Sequence, residues 1–230
     1  MSSTNQNRPP FAPLRRFFPD PRLSLTDGLV MVGGALSLEN LLEAYSFGIF
    51  PWPQEGLPVL WFSPERRGIL EFKSLHWSKS FQKFLRQTKW RITANQNFVE
   101  VIRACAQAPR PGQSGTWITP DIEKAYLEFH RAGYAHSIEC WQQDQLVGGL
   151  YGVYVANLFA GESMFYRKDN ASKYCLWWLV ERLKAQGHQW MDTQMVTEGL
   201  KSLGGRYIPR AQFLRRLEEE KAKPFVPLIL

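Results

Sequence analysis

Two carboxylates and one amide, Glu162, Asp192 and Gln194, are the side chains of this sequence whose types and spacing suit chemistry at a polar centre. A carboxylate binds a cation or moves a proton, and an amide offers an acceptor and a donor with which to orient a nucleophile. Asp192 and Gln194 are two apart, so on an extended strand they point to one face. Without further context, satisfying backbone groups at a strand end is the better reading of this pair. The other reactive types form no pattern. Cys105, Cys140 and Cys175 are an odd number with no paired spacing, and His76, His130, His136 and His188 lack metal-ligand spacing. No metal and no disulfide framework is expected, and a reducing cytoplasm fits.

The elements that must position these three groups lie between Leu158 and Gln194. Leu158 to Gly161 reads as a strand, with Glu162 following its end. A helix then opens at Asn170 or Ser172, either of which can cap it, and carries Leu176, Leu179, Val180 and Leu183 as an apolar stripe. Gly187 stands where a left-handed C-terminal residue is wanted, and Gln189 to Gln194 reads as a second strand. A helix between two strands is a crossover, and crossovers join parallel strands. The carboxyl ends of both strands therefore fall on one sheet edge, where open α/β sheets bind ligands.

Before this unit the sequence predicts an irregular arm to about Pro21 and a short apolar run at Gly28 to Leu36, then a helix capped by Ser37 and ended by Gly48. Gly33 and Gly34 are not followed by the Lys-Ser/Thr of a phosphate loop, and the dinucleotide glycine spacing is absent. Trp52 sits between prolines and serves either as a stacking platform or as a plug between domains. An extended piece at Leu60 to Pro64 leads to a domain boundary at Gly68, which divides a small N-terminal domain, residues 1–68, from a larger one, residues 69–230. Helices are expected at Trp77 to Thr88, at Phe98 to Ala106 and from Thr119–Pro120 to about Gly133, with a short strand at Trp90 to Thr93. The loop Pro109 to Gly115 delivers Trp117. Strands at His136 to Trp141, Leu146 to Tyr154 and Leu158 to Gly161 have short connections and so run antiparallel. A charged helix at Ala211 to Lys221 precedes an apolar tail. The whole is a mixed α/β chain.

Charge points to a partner. The sequence has 230 residues, 28 Lys plus Arg against 21 Asp plus Glu, a formal net charge of +7 and a pI near 9.4. No stretch forms a basic amphipathic membrane anchor or a bilayer span, and the polar first ten residues lack an apolar targeting segment, so a soluble cytoplasmic protein is expected; the charge favours a polyanionic partner, RNA or DNA before membrane, and a basic protein with no nucleic-acid role fits it equally. Within the helix at Trp77 to Thr88, Phe81, Phe84 and Leu85 form the apolar side. Lys79, Lys83 and Arg86 form a basic stripe, extended by Lys89 and Arg91, that is either a phosphate-binding face or a solvated one.

An antiparallel meander followed by strand, crossover helix and parallel strand resembles the acetyltransferase fold. Members that use acetyl coenzyme A hold its pyrophosphate on an Arg/Gln-x-x-Gly-x-Gly/Ala loop. The loop here, Gly161 to Asn170, reads GESMFYRKDN and has no such glycines, so coenzyme A is not expected. A narrower match is carried by GTWIT at 115–119, AHSIE at 135–139, LVGGLYGV at 146–153, FAGESMF at 159–165, NASK at 170–173 and MDTQ at 191–194, with GIFPW at 48–52 and SLG and IPR between 202 and 210. Together these span nearly the whole chain and resemble the leucyl/phenylalanyl-tRNA–protein transferase family. The resemblance implies a small N-terminal domain before an acetyltransferase-like one, and an activity that moves leucine or phenylalanine from aminoacyl-tRNA to the N-terminal Arg or Lys of a protein, marking it for N-end rule degradation. That reaction is aminolysis of an ester and requires no cofactor, ATP or metal.

By the same resemblance Gln194 accepts a hydrogen bond from the attacking amine, Asp192 orients that amide and favours a cationic acceptor, and Glu162 binds the acceptor's amino or guanidino group. Leu150, Phe159, Met164 and Leu176 match the aminoacyl pocket, although plain core packing also fits them. Leu150 stands where the family often has methionine. Trp52 and Trp117 match the tryptophans that hold the 3′-terminal adenosine, and Lys79, Lys83 and Arg86 would track acceptor-stem phosphates. Gly199 stands where the family usually carries a histidine. Two other readings fit parts of the sequence: an N-acetyltransferase, which needs the missing pyrophosphate loop, and a non-catalytic RNA-binding module, which leaves the three converging polar groups unexplained.

Overall fold

The computed structural model describes residues 17–24, 27–54, 56–109 and 116–230. The expected N-terminal arm up to residue 16 and most of the loop at 109–115 lie outside them. Three short strands, β1 (Leu29–Val32), β2 (Phe50–Pro51) and β3 (Leu60–Phe62), form an antiparallel sheet in the order β1-β3-β2, with helix α1 (Leu38–Ser46) between the first two in sequence. Ser37 caps α1, its Oγ accepting the Asn40 N–H, and Gly48 leaves the helix at φ +72°. Phe17 and Phe18 both donate their backbone N–H to Glu43 Oε1, at 2.6 and 3.0 Å, which ties the arm's end to α1.

The remaining elements are β4 (Arg66–Glu71), α2 (Lys79–Gln87), β5 (Arg91–Ala94), α3 (Phe98–Gln107), α4 (Pro120–Arg131), β6 (Ala135–Gln142), β7 (Gln145–Val155), β8 (Leu158–Tyr166), α5 (Ala171–Ala185), β9 (Trp190–Gln194), α6 (Glu198–Ser202), β10 (Arg206–Pro209) and α7 (Arg210–Lys221). Seven strands make one mixed sheet in the order β10-β4-β9-β8-β7-β6-β5. The meander β5 to β8 is antiparallel, and β8 pairs with β9 in parallel across α5, as the crossover reading requires. Ala156 and Asn157, both with positive φ, make the two-residue turn from β7 to β8, a geometry matched to the right-handed twist of the strands.

The helix α5 buries Leu176, Leu179, Val180 and Leu183, the predicted stripe, and Gly187 follows it at φ +88°. Of the two expected caps Asn170 takes the position, but in a left-handed conformation and without a side-chain cap bond. α5 lies close on β7: a Cβ at Gly148 would come within 2.5 Å of the Ala171 Cβ, so this contact needs glycine. One core, on the other face, joins Leu41, Tyr45 and Ile49 around α1 to Val101 and Ile102 of α3 and Tyr126 and Phe129 of α4.

Three features differ from the sequence reading. Arg66 to Gly68, where the domain boundary is expected, belong to β4, an inner strand flanked by β10 and β9, so Gly68 lies within the large sheet. Neither α6 nor β10 was foreseen, because α6 has five residues and β10 four, too short for periodicity to register. Finally, β8 does not stop at Gly161 but runs on to Tyr166. Among the described residues no helix is long and apolar enough to cross a membrane.

Candidate active site

The extra length of β8 changes the setting of Glu162. Tyr151 pairs with Ser163 and Gly152 with Gly161, so Glu162 is the additional residue of a β-bulge and lies inside the strand. Bulges re-aim a side chain. Here the carboxylate turns toward the face that carries α1 and α4. Tyr45 donates its hydroxyl to Glu162 Oε1 at 2.7 Å, and the Tyr126 hydroxyl stands 3.5 Å from Oε2. The two tyrosine hydroxyls are themselves in short contact.

Beside this group runs the parallel strand β9. β8 and β9 are in register at Ala160 and Asp192, and beyond that pair Gln194 reaches across, its Nε2 donating to Glu162 Oε1 at 2.6 Å. Gln194 adopts φ +58°, and its backbone N–H donates to Asp192 Oδ1 at 2.8 Å. With its nitrogen committed to Glu162, the amide oxygen is turned away from that carboxylate. It makes no hydrogen bond among the described residues.

Asp192 is held by a residue that sequence reasoning passed over. Arg67 of β4 donates Nε to Oδ1 at 2.9 Å and Nη2 to Oδ2 at 2.7 Å, a bidentate pair, while Nη1 donates to the Gly48 carbonyl at 3.1 Å. Arg67 is 1% exposed and Asp192 2%, and the guanidinium lies between the Phe50 and Phe213 rings at 4.7 and 4.5 Å. A fork-shaped cation suits this task where a lysine would not. The expected orientation of the Gln194 amide by Asp192 is therefore corrected: Glu162 holds the amide, and Asp192 fixes the Gln194 backbone. The Asp192 charge is answered by Arg67 and not left open to the cleft.

The electrostatics follow from this burial. Glu162 has its pKa raised from 4.5 to about 7, first by desolvation and further by the Asp192 charge, against the opposing bonds from Tyr45 and Gln194. Tyr45 and Tyr126 are both pushed well above the usual phenol value by burial and by the Glu162 charge. Near neutral pH, Glu162 is thus poised between its two protonation states.

The four expected pocket residues share the α5 face. Leu150 pairs with Met164 across β7 and β8, and the bulge at Glu162 lets Phe159, five residues from Met164, face the same way. Leu150, Phe159 and Leu176 belong to one buried cluster, whereas Met164 is 38% exposed. Trp52 and Trp117 are half-buried and stacked on each other, with centroids 5.9 Å apart and planes at 22°. Lys79, Lys83 and Arg86 are exposed along α2, while Phe81 is buried beneath them. Gly199 lies exposed on α6, and its nearest neighbour to a virtual Cβ is Thr197 Oγ1 at 3.8 Å, so a side chain would fit there.

Besides Arg67, sequence reasoning missed Tyr45 and Tyr126. Tyr45 falls with Leu38, Leu41 and Leu42 on the apolar side of α1, and only its hydroxyl departs from that character. Arg67 left one usable signal, an arginine flanked by a β-forming run after Gly68, masked by its resemblance to a linker.

Comparison with known proteins gives a consistent result. Residues 69–218 match the family described as leucyl/phenylalanyl-tRNA protein transferase, and residues 34–65 match that family's N-terminal domain. A leucyl/phenylalanyl-tRNA–protein transferase from Pseudoalteromonas atlantica is 51% identical over 209 residues, covering 90% of this chain and 89% of the relative. One from Pseudomonas syringae pv. syringae is 48% identical over 220 residues, covering 96% and 93%. Among solved structures, a ribosomal-protein-alanine N-acetyltransferase from Brucella melitensis biovar Abortus 2308 overlaps 43% of this chain and 75% of its own, at 18% identity and a TM-score of 0.30. An overlap that small carries no argument of its own.

Proposed function

The chain belongs to the leucyl/phenylalanyl-tRNA–protein transferase family, and on that premise we propose how its residues divide the work of transfer. The protein is an aminoacyltransferase that moves leucine or phenylalanine from aminoacyl-tRNA to a protein. The acceptor we assign is a protein beginning with Arg or Lys, which the added residue marks for N-end rule degradation in the cytoplasm. In this reading the separate family matches at 34–65 and 69–218 support an N-terminal unit ahead of a catalytic one, with the expected boundary at Gly68 moved ahead of β4, whose Arg66 to Gly68 belong to the large sheet.

The acyl group arrives as an ester, so the enzyme's task is to set a neutral amine against the carbonyl carbon and to manage one proton. The observation that carries the assignment is the Gln194–Glu162 contact between β9 and β8. It leaves the Gln194 oxygen as a fixed acceptor for the amine's N–H. Glu162, with a pKa of about 7, is matched to an α-ammonium whose ordinary value is roughly 8 and can bind that group and take its proton. The neutral amine then attacks the carbonyl carbon, the ester C–O bond to the tRNA 3′ end breaks, and the proton that the nitrogen loses goes to the departing ribose oxygen, which leaves as a hydroxyl, while Glu162 returns its own proton to solvent. Asp192, held by Arg67, keeps Gln194 in its unusual backbone conformation, and the negative charge offered to a cationic acceptor is that of Glu162.

Leu150, Phe159, Met164 and Leu176 would receive the leucyl or phenylalanyl side chain, with exposed Met164 at the entrance. Trp52 and Trp117, already stacked on each other, would offer an outer ring face to the terminal adenine. Lys79, Lys83 and Arg86 would meet tRNA phosphates. The test is to incubate the protein with radiolabelled leucyl-tRNA and model proteins beginning with Arg or with Ala. Label on the Arg substrate alone, lost after ribonuclease treatment of the tRNA, is the expected outcome. Equal label on both would remove the acceptor assignment.

A further inference from the structure

An open groove of about 620 Å³ lies between the end of α2 and the turn joining β6 to β7, and the reaction described above does not use it. Its floor is aromatic: the Phe84 and Trp90 rings meet edge to face at 5.1 Å, with Trp90 half-buried. Lys83 and Lys89 stand over it, both exposed, and no carboxylate is among the residues that line it. The side-chain amides of Gln87 and Gln142 also line it, both exposed and neither hydrogen-bonded among the described residues.

Cations alone would read only phosphate. Ring surface together with free amides suits a group that has a flat face and a hydrogen-bonding edge. A base inside a duplex presents neither face to a protein, because both are stacked on neighbours. The volume falls within the range of roughly 300–1,000 Å³ typical of small-ligand pockets, ample for one nucleotide. Lys83 also belongs to the α2 stripe, so the groove continues the face assigned to tRNA phosphates.

We propose that this groove is a nucleotide subsite that takes one unpaired nucleotide of the bound tRNA, its base on Trp90 and Phe84, its edge on Gln87 and Gln142, and its phosphate at Lys83 and Lys89. This rests on the reading of α2 as a tRNA face. A loop nucleotide so captured would fix the rotation of the tRNA about its acceptor stem, which phosphate contacts alone leave loose.

The experiment compares leucyl-tRNA binding by the wild type, Gln87→Ala, Gln142→Ala and Lys79→Glu over a salt series, together with 2′-hydroxyl acylation of the tRNA, which reports nucleotide mobility. Both glutamines are exposed, and alanine is a good helix former at position 87, so folding is not at stake. Each glutamine variant is expected to raise Kd about fivefold, the factor that one lost hydrogen bond removes, with the salt slope unchanged. One unpaired nucleotide should be protected by the wild type and exposed in both variants. Lys79→Glu, outside the groove, should lower both affinity and slope. Wild-type affinity and protection in both glutamine variants would overturn the subsite. If Lys79→Glu is silent too, the reading of α2 as a tRNA face falls with it, whereas a Lys79→Glu effect alone would remove the nucleotide proposal and leave that face standing.

Discussion

Replacing Glu162 by glutamine tests the electrostatic heart of the site, because it keeps the size and polarity of the side chain and removes only its ability to ionise. Folded Glu162 has a pKa of about 7 against 4.5 for a free carboxyl. It therefore holds its proton more tightly folded than unfolded, and the wild type loses stability as pH rises from 4.5 to about 7, then levels off. The full shift would correspond to about 3 kcal/mol. Glu162 is only half-buried as a residue, so water at the cleft screens part of that cost, and a difference of about 1–2 kcal/mol is expected. The assay is urea denaturation of both proteins at pH 5 and pH 8. Groups that titrate alike in both, such as His136, whose pKa burial lowers to about 4, cancel in the comparison. Glu162→Gln should gain on the wild type by that margin between the two pH values. The same substitution should depress transfer and flatten its fall below pH 7, because no proton acceptor remains to be protonated. A stability difference that does not change with pH would refute the account of Glu162 as a desolvated, ionisable group.

Gln194→Ala and Asp192→Ala should lose transfer while still binding tRNA, and wild-type turnover in either would take that residue out of the mechanism. Arg67→Met leaves the Asp192 carboxylate buried without its partner and should cost about 3–5 kcal/mol in denaturant titrations. Adding Asp192→Leu to it should recover much of that loss, and no recovery would mean that packing between Phe50 and Phe213 dominates. Reversing Lys79, Lys83 and Arg86 to Glu should weaken tRNA binding in a salt-dependent way; unchanged affinity at low salt would count against α2 as a phosphate face. Gly148→Ala should destabilise by about 1–3 kcal/mol, since its Cβ would press on Ala171 at 2.5 Å and push α5 off the sheet; a neutral effect would show that α5 can shift freely.

Periodicity and caps were sufficient for the elements that stand on local chemistry. The stripe of α5, the Ser37 and Thr119 caps and the tight turns of the meander follow from side-chain spacing and backbone preference within a few residues. Parallel pairing of β8 and β9 followed as well, because a crossover helix leaves no other arrangement. The motifs that carry the family resemblance are equally local, since each is a short string read in order.

The folded chain decided matters that depend on partners far away in sequence. Arg67 and Asp192 are 125 residues apart, and nothing near either one announces that they meet. Tyr45 and Glu162 are 117 apart, and the tyrosine's apolar helix position conceals its hydroxyl's role. The bulge at Glu162 exists only because β7 fixes the register of β8 on both sides of it, so no reading of β8 alone could place that carboxylate. Nor does any residue type disclose a pKa of about 7 at Glu162, which arises from burial among groups that four separate elements bring together. The sequence alone determined which residue types were available to the site and the strands that bear them; long-range packing determined which of them touch, and with that their charge state.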